Sequence, residues 1–272
     1  MKKLSSPLRY PGGKQKLLPL IEKEFPDNYD VLLECFAGGA SISLGLLFKN
    51  KIKEVILNDS DELVYSFWKC VFTSENNLLL RQRLFDTDVT LDLWKKLKND
   101  KSTNIVDMAF KCLFFNRTNF SGILKAGPIG GKNQTGNYKI DCRWNKERLI
   151  KLISKIGQYS DRVIVENLDF SDFISKYNTN DSLKKLWYFD PPYYYKANQL
   201  YNYYFKPEDH IVFRDCLLNI HDDYVISYDD CSEIRNIFNE KHIIKNIDWT
   251  SSASIENNYR KKNNELFIIK AF

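Results

Sequence analysis

The chain has 272 residues, of which 43% are hydrophobic and 14% aromatic, so it can build a substantial core and is not globally disordered. No apolar run is long enough to span a bilayer, and no apolar signal-peptide stretch follows Lys2 and Lys3. The six cysteines form no CxxC pair and the three histidines show no metal-ligand spacing, which favours a cytoplasmic protein with reduced thiols and no bound metal.

The net charge of +5 is distributed unevenly along the chain. Residues 110–151 contain nine basic and two acidic side chains, so this segment carries +7 and the remainder is slightly acidic. A local basic block in a near-neutral chain indicates a polyanion partner. A solvated lysine-rich surface explains the same charge equally well, and charge alone does not separate the two.

Short apolar segments alternate with helical patterns along most of the chain. Seven segments are predicted strands: 31–37, 54–59, 162–168, 186–190, 224–229, 242–249 and 265–272. Helical patterns fall between them, for example at 41–50 and 143–157. Strands that alternate with helices predict an α/β fold with a parallel sheet. The last two strands lack a long helix between them, which favours an antiparallel hairpin at the end of the sheet.

The alternation breaks between about residues 60 and 150. This stretch is mainly helical in pattern and then glycine-rich, in the segment AGPIGGKNQTGN. The simplest layout is an α/β core interrupted by a helical insertion that carries the basic block.

The segment LLECFAGGASISLGLL leads from a predicted strand through Gly38 and Gly39 into a predicted helix. Glycines let the backbone turn tightly and let a ligand approach it. Neither GxGxxG nor GK[ST] is present, which argues against a dinucleotide site and a P-loop. Asp59 ends the next strand, where a carboxylate can accept hydrogen bonds from ribose hydroxyls. The pattern predicts an adenosine-type ligand, with helix capping as the alternative role of Asp59.

The segment LRYPGGKQKLLPLI comes earlier in the chain. Pro11–Gly13 predict a turn before an amphipathic helix. Lys14 then stands at the helix start, where a cation interacts unfavourably with the helix dipole. This placement suggests that Lys14 has another task, such as holding a carboxylate.

The segment WYFDPPYYY ends a predicted strand with Asp190, which therefore points into the same crevice. The prolines fix the backbone, so that an acid and a rigid carbonyl form a paired acceptor for an amino group. An adjacent tyrosine ring offers a flat face to a planar base. Two acceptors that hold the hydrogens of an exocyclic amine free its lone pair to attack an electrophilic methyl group.

In this order, RYPGGK, ECFAGGAS, ND and FDPPYY resemble the motifs of the adenine-N6 DNA methyltransferases. The resemblance covers nearly the whole chain and is specific to the group that includes the GATC adenine methylases. It implies S-adenosylmethionine as methyl donor and a Rossmann-like core with a seven-stranded mixed sheet. It also implies a catalytic and cofactor-binding domain (1–60 and 161–272) and a mostly helical target-recognition domain (61–160).

The resemblance further implies roles for individual residues. The cofactor would be bound by Tyr10, Lys14, Glu34, Phe36, Gly38, Gly39, Asp59, Asp169, Phe170 and Asp190. Within this set, Tyr10 and Lys14 would hold the methionine part, Asp59 the ribose, and Asp169 with Phe170 the adenine ring. The catalytic site would consist of Asp190, Pro191, Pro192 and Tyr193.

Double-stranded DNA is the implied partner. The candidate DNA-binding residues are Asn116, Arg117, Lys125, Lys132, Asn133, Gln134, Arg260 and Lys261. Two departures from the family pattern matter. Ala40 replaces the last glycine of the usual FxGxG loop, which we expect to do little harm. The segment LKAGPIGGKNQTG replaces an arginine-centred hairpin, so the resemblance does not extend to GATC as the target.

Three kinds of function remain open. The first is methylation of adenine N6 in DNA, in a bacterial or phage-type cytoplasm and with a cognate restriction endonuclease as a candidate partner. The second is methylation of cytosine N4 or of an RNA base, although an aspartate at the head of DPPY favours adenine in DNA. The third is a non-catalytic DNA-binding module, against which the intact Lys14, Asp59, Asp190 and Tyr193 argue.

Overall fold

The computed structural model describes residues 5–9, 14–26, 28–195, 204–238, 242–256 and 259–270, with only the backbone described for 248–264. One seven-stranded sheet has the order β3-β2-β1-β4-β5-β7-β6. The strands are β1 (Tyr29–Glu34), β2 (Ile52–Asn58), β3 (Val163–Glu166), β4 (Lys185–Phe189), β5 (Asp223–Asp229), β6 (His242–Glu256) and β7 (Tyr259–Lys270). The first five strands pair with one another in parallel, whereas β7 is antiparallel to both β5 and β6.

Helices cover both faces of the sheet. They are α1 (Leu18–Glu24), α2 (Ser41–Phe48), α3 (Glu62–Val71), α4 (Ser74–Asp86), α5 (Leu91–Asn99), α6 (Ile105–Thr118), α7 (Lys146–Gly157), α8 (Phe170–Tyr177), α9 (Pro207–Leu217) and α10 (Ser232–Ile237). Within the part of the chain that the structure describes, no helix is long and apolar enough to cross a bilayer.

The predicted α/β fold is confirmed, including the seven strands and the final antiparallel hairpin. The stretch of residues 60–150 is mainly helical, as predicted, and contains α3 to α6. Helix α4 has no clear apolar stripe, because Leu80 and Leu84 are buried but Leu78 and Leu79 are about half exposed. The predicted turn at Pro11–Gly13 lies outside the described residues.

The side chains of β1 alternate between two cores. Leu32 faces a cluster that includes Trp68 and Phe114, from the helices between β2 and β3. Leu33 faces the opposite cluster, which includes Phe213. This alternation is the period-two pattern of a strand buried on both faces. The helices between β2 and β3 therefore share one core with the sheet.

The strand order reverses between β1 and β4, because β2 and β3 lie on one side of β1 and β5 lies beyond β4. At such a switch point the connections leave in opposite directions, which opens a crevice at the carboxyl ends of the strands. The residues that follow β1, β2 and β4 therefore converge on one place.

Candidate cofactor and catalytic site

A cavity of about 700 Å³ opens at this crevice. Its wall includes residues at or just after the ends of the first four strands, among them Glu34, Asp59, Asp169 and Asp190. The volume lies within the range of small-molecule and cofactor sites. The predicted convergence of the strand ends is thus present in the fold.

The glycine loop forms one wall of the cavity. Gly38 and Ala40 have φ values of 44° and 47°, in the left-handed region. Trp68 of α3 donates its indole N–H to the Gly38 carbonyl over 2.8 Å, and Asp59 Oδ2 accepts from the Gly38 N–H over 2.8 Å. A residue with a Cβ is less stable by roughly 1–2 kcal/mol in this region than in the right-handed region. Ala40 in place of a glycine therefore lowers the stability of the loop by more than the small effect expected from the sequence.

Asp59 has the position that its motif predicts, but it does not cap α3. The helix is capped by Asp61, whose side chain accepts from the Leu63 N–H over 2.9 Å. Asp59 instead accepts from the Gly38 and Asp61 backbone N–H groups. The carboxylate therefore fixes the loops that follow β1 and β2 while it lines the cavity.

Among the acidic groups that line the cavity, those of Glu34, Asp59 and Asp190 have raised pKa values. Burial raises the pKa of Glu34 to about 8, although the Ser43 N–H donates to its Oε2 over 3.1 Å. Burial also raises the pKa of Asp59 to about 7 and raises the pKa of Asp190. Buried carboxyl groups with raised pKa values are stabilised in their ionised form by a ligand that brings positive charge or hydroxyl donors.

Part of the cavity wall is aromatic. Phe36 and Phe170 line it, and the Phe170 ring centroid lies 5.2 Å from that of Phe205 and 5.6 Å from that of Phe213. Asp169 is exposed at the rim and caps α8 by accepting from the Ser171 N–H over 3.0 Å. The rings offer an apolar surface to a planar group, next to a polar rim.

Asp190 follows directly after β4, whose five side chains are all buried. Its Oδ1 accepts from the Ser227 hydroxyl of β5 over 3.1 Å, and the Lys14 ammonium lies 3.4 Å from the same oxygen. Pro191 is buried, and Pro192 lines the cavity. The rigid strand and the two prolines fix the carboxylate at the cavity edge.

The turn after the prolines is held by β5 and β7. The Tyr193 hydroxyl contacts the carboxylate of Glu265, and the Tyr194 N–H donates to Asp229 Oδ1 over 3.2 Å. The Tyr193 ring lies 6.2 Å from the Tyr228 ring, with 32° between their planes. Tyr193 is therefore anchored at its hydroxyl as well as along its ring.

Lys14 is buried in a short 3-10 turn, and its ammonium contacts Glu265 as well as Asp190. The expectation that this lysine holds a carboxylate is met by carboxylates of the protein itself. Its predicted contact with the methionine part of the cofactor stays a prediction. Tyr10, the other predicted contact, lies outside the described residues.

Sequence reasoning missed Ser227, Asp229 and Glu265. Asp229 ends β5 as Asp190 ends β4, so the same strand-end signal was available for it. Glu265 pairs with Asp229 across β5 and β7, a register that composition and periodicity do not reveal.

The predicted DNA-binding residues fall into two groups, and the first is held inside the protein. Asn116 is 1% exposed, and its amide bonds the backbone N–H and carbonyl of Arg9 and the carbonyl of Gly122. The Gln134 amide donates to the Ile129 carbonyl over 2.7 Å and accepts from the Ile140 N–H over 2.8 Å. We exclude both from the DNA contacts, because the protein already occupies their polar atoms.

The remaining predicted residues form the second group. Lys132 and Asn133 are exposed, and Lys125 is exposed at the cavity rim. Arg117 is half-buried and donates to the Pro7 carbonyl. Arg260 and Lys261 lie on β7, where only the backbone is described.

Comparison with known proteins identifies the family. Residues 10–252 match the model of the D12 class N6 adenine-specific DNA methyltransferases. The chain belongs to this family. It is an S-adenosylmethionine-dependent methyltransferase that modifies the N6 amino group of adenine in DNA. The family assignment confirms the predicted activity and cofactor over the cytosine-N4, RNA-base and non-catalytic alternatives.

Three curated relatives are similar over most of their length. The type II methyltransferase M1.LlaDCHI of Lactococcus lactis subsp. cremoris is 26% identical, over 76% of this chain and 74% of its own. The type II methyltransferase M.MjaIII of Methanocaldococcus jannaschii is 25% identical, over 68% of both chains. The type II methyltransferase M.CviBI of Paramecium bursaria Chlorella virus NC1A is 24% identical, also over 68% of both.

Proposed function

We propose that this methyltransferase grips the amino group of an adenine, flipped out of the duplex, between Asp190 and the Pro191 carbonyl. The observation that carries this proposal is the position of Asp190 at the edge of the cavity, held at one oxygen by Ser227 and Lys14. In the described part of the chain both contacts fall on Oδ1, which leaves Oδ2 for an amino hydrogen. Flipping is needed because a stacked base cannot meet the methyl donor in line.

The cavity residues fit S-adenosylmethionine. This cofactor supplies a methyl group on a positively charged sulfur. The acids Glu34, Asp59 and Asp190 complement a ligand that carries a sulfonium, an ammonium and ribose hydroxyls. The rings of Phe36 and Phe170 provide a surface for its adenine. We assign Asp59 to the ribose hydroxyls and Asp169 to the polar edge of the adenine.

Asp190 acts on the nitrogen of the target base. The amino group of adenine is a poor nucleophile, because its lone pair is delocalised into the ring. Two acceptors that hold its hydrogens favour a pyramidal nitrogen, and the carboxylate stabilises the positive charge that grows on nitrogen during transfer. The Tyr193 ring holds the flipped base by stacking, worth roughly 1–3 kcal/mol.

Cofactor affinity is expected to rise with pH. Burial holds the pKa of Glu34 at about 8 and that of Asp59 at about 7 in the free protein. A cationic ligand favours the ionised carboxylates, so binding should release protons and strengthen between about pH 6 and pH 8. Calorimetry in buffers with different ionisation enthalpies measures both effects. Neutral adenosine is the control, with a weaker pH dependence; equal dependence for both ligands would contradict the assignment.

We assign DNA recognition to residues 61–160, whose exposed basic side chains include Lys132, Arg143 and Arg148. Burial, followed by repulsion from Arg9, Arg148 and Arg143, lowers the pKa of Arg117 to about 10. Arg9, Arg143 and Arg148 are therefore close enough to repel Arg117. Phosphate groups supply the opposite charge, which supports a DNA backbone contact at this group.

Neutralising Lys132 and Arg143 together is expected to weaken DNA binding and flatten its salt dependence. The slope of log K against log salt should change by about 0.9 for each lost phosphate contact. Lys53→Ala is the control, because Lys53 is exposed near the start of β2, at the end of the parallel strands opposite the cavity. Fluorescence anisotropy over a salt series measures the slope. An unchanged slope in the double variant would place the DNA surface elsewhere.

We also propose that a restriction endonuclease with the same target sequence accompanies this enzyme in the cytoplasm. The support is that the bacterial and archaeal relatives bear the name type II methyltransferase. Methylome sequencing of cells that express the enzyme would give the target sequence. DNA methylated by the enzyme should then resist a nuclease activity in extracts of the source cells, and cleavage of that DNA would reject the partnership.

A further inference from the structure

Glu265 is a buried acid that no part of the proposed chemistry uses. It lies in β7, it is 3% exposed, and its neighbour across the β5–β7 pair is Asp229. A buried carboxylate is costly unless other groups compensate its charge. Its partners therefore show what it does.

One described partner of Glu265 is Tyr193 of the proposed catalytic site, and the other is Lys14, which lies beside Asp190. Glu265 Oε1 accepts from the Lys14 ammonium and from the Tyr193 hydroxyl, whereas its Oε2 is buried without a partner among the described residues. The Lys14 ammonium also contacts the Tyr193 hydroxyl and lies 4.7 Å from the centre of the Tyr193 ring. One carboxylate oxygen thus joins the stacking residue to the buried lysine.

The same lysine lies 3.4 Å from Asp190, so it is shared by two carboxylates. If the ammonium paired with Asp190 alone, the catalytic carboxylate would be less able to accept from an amino group. Its direct contact with Glu265 limits that pairing. Glu265 thus competes with Asp190 for one cation.

We propose that Glu265 is a positioning residue for methyl transfer, which fixes the Tyr193 ring and holds Lys14 back from full pairing with Asp190. This inference rests on the proposed roles of Asp190 and Tyr193. Glu265 acts through these two groups and need not touch the base itself.

The proposal has a consequence for the pH dependence of the rate. The titratable groups around Asp190 in the described structure are Lys14, Glu34, Tyr188, Tyr193, Tyr228, Asp229 and Glu265. Removing the negative charge of Glu265 leaves the Lys14 ammonium to Asp190, which lowers the pKa of Asp190. The acidic limb of the kcat–pH profile should then move to lower pH, while the plateau rate falls.

The test is Glu265→Gln, which keeps the shape of the side chain. We expect kcat to fall by about tenfold or more, as for the loss of one charge-assisted hydrogen bond, with KM for DNA nearly unchanged. Glu166→Gln is the matched control, because Glu166 Oε1 also accepts from a lysine and a tyrosine, Lys176 over 2.8 Å and Tyr177 over 2.6 Å. Glu166 ends β3 and does not line the cavity, so its variant should keep wild-type kinetics.

Thermal denaturation establishes whether Glu265→Gln is folded. If it is not, Tyr193→Phe keeps the ring, removes the contacts of its hydroxyl with Glu265 and Lys14, and should also lower kcat. Wild-type kcat and an unshifted acidic limb in Glu265→Gln, or wild-type kcat in Tyr193→Phe, would overturn the proposal. Full activity in Asp190→Ala would instead overturn the proposed function, so the two failures are distinguishable.

Discussion

Asp190→Ala is expected to abolish measurable methyl transfer, while binding of duplex DNA largely survives. The carboxylate acts mainly in the transition state, where positive charge grows on the nitrogen, so its loss should affect kcat far more than affinity. A loss of about 100- to 1,000-fold is the minimum expected for one preorganised electrostatic group. The buried strand β4 holds the backbone in place, so the change should be local.

Three measurements separate catalysis from binding in this variant. Methyl transfer from labelled cofactor reports turnover, and anisotropy reports DNA affinity. Fluorescence of 2-aminopurine at the target position reports base flipping, which should persist. Asp161→Ala is the control, because Asp161 is exposed in the turn before β3. Near-normal turnover in Asp190→Ala would show that Asp190 does not take part in methyl transfer.

Asp59→Ala is expected to weaken binding of S-adenosylmethionine by roughly 10- to 150-fold, the effect of losing one or two charge-assisted hydrogen bonds. The variant loses the acceptor assigned to the ribose. It also leaves the Gly38 and Asp61 N–H groups without the carboxylate that orders their loops.

Calorimetry measures the loss of cofactor affinity. Thermal denaturation without cofactor shows whether the variant also destabilises the two loops that Asp59 holds. Asp59→Asn keeps one acceptor oxygen and should bind between the wild type and the alanine variant. If Asp59→Ala binds the cofactor as tightly as the wild type does, the ribose assignment is wrong.

The sequence alone predicts well which acidic residues meet at the carboxyl end of the sheet, because each of them stands at the end of a strand. Apolar strands that finish in Glu34, Asp59 and Asp190 can be recognised one at a time. Parallel pairing then brings their ends to one edge without any knowledge of long-range contacts. The cavity at the switch point follows from the same logic.

The supporting contacts are not predictable in this way. The link from Lys14 to Glu265 joins residues 251 positions apart and depends on the register of β7 against β5. The amides of Asn116 and Gln134 illustrate a second limit. A polar side chain in a basic segment can face DNA or brace a loop, and only the packing of that loop decides which.

The central claim is tested most directly by the chemical identity of the product. Purified enzyme is incubated with S-adenosylmethionine carrying a labelled methyl group and with duplex DNA, and the digested nucleosides are identified by mass spectrometry. The geometry around Asp190 predicts label in N6-methyladenine alone, with none after Asp190→Ala. Label in N4-methylcytosine, or transfer to RNA in preference to duplex DNA, would contradict it.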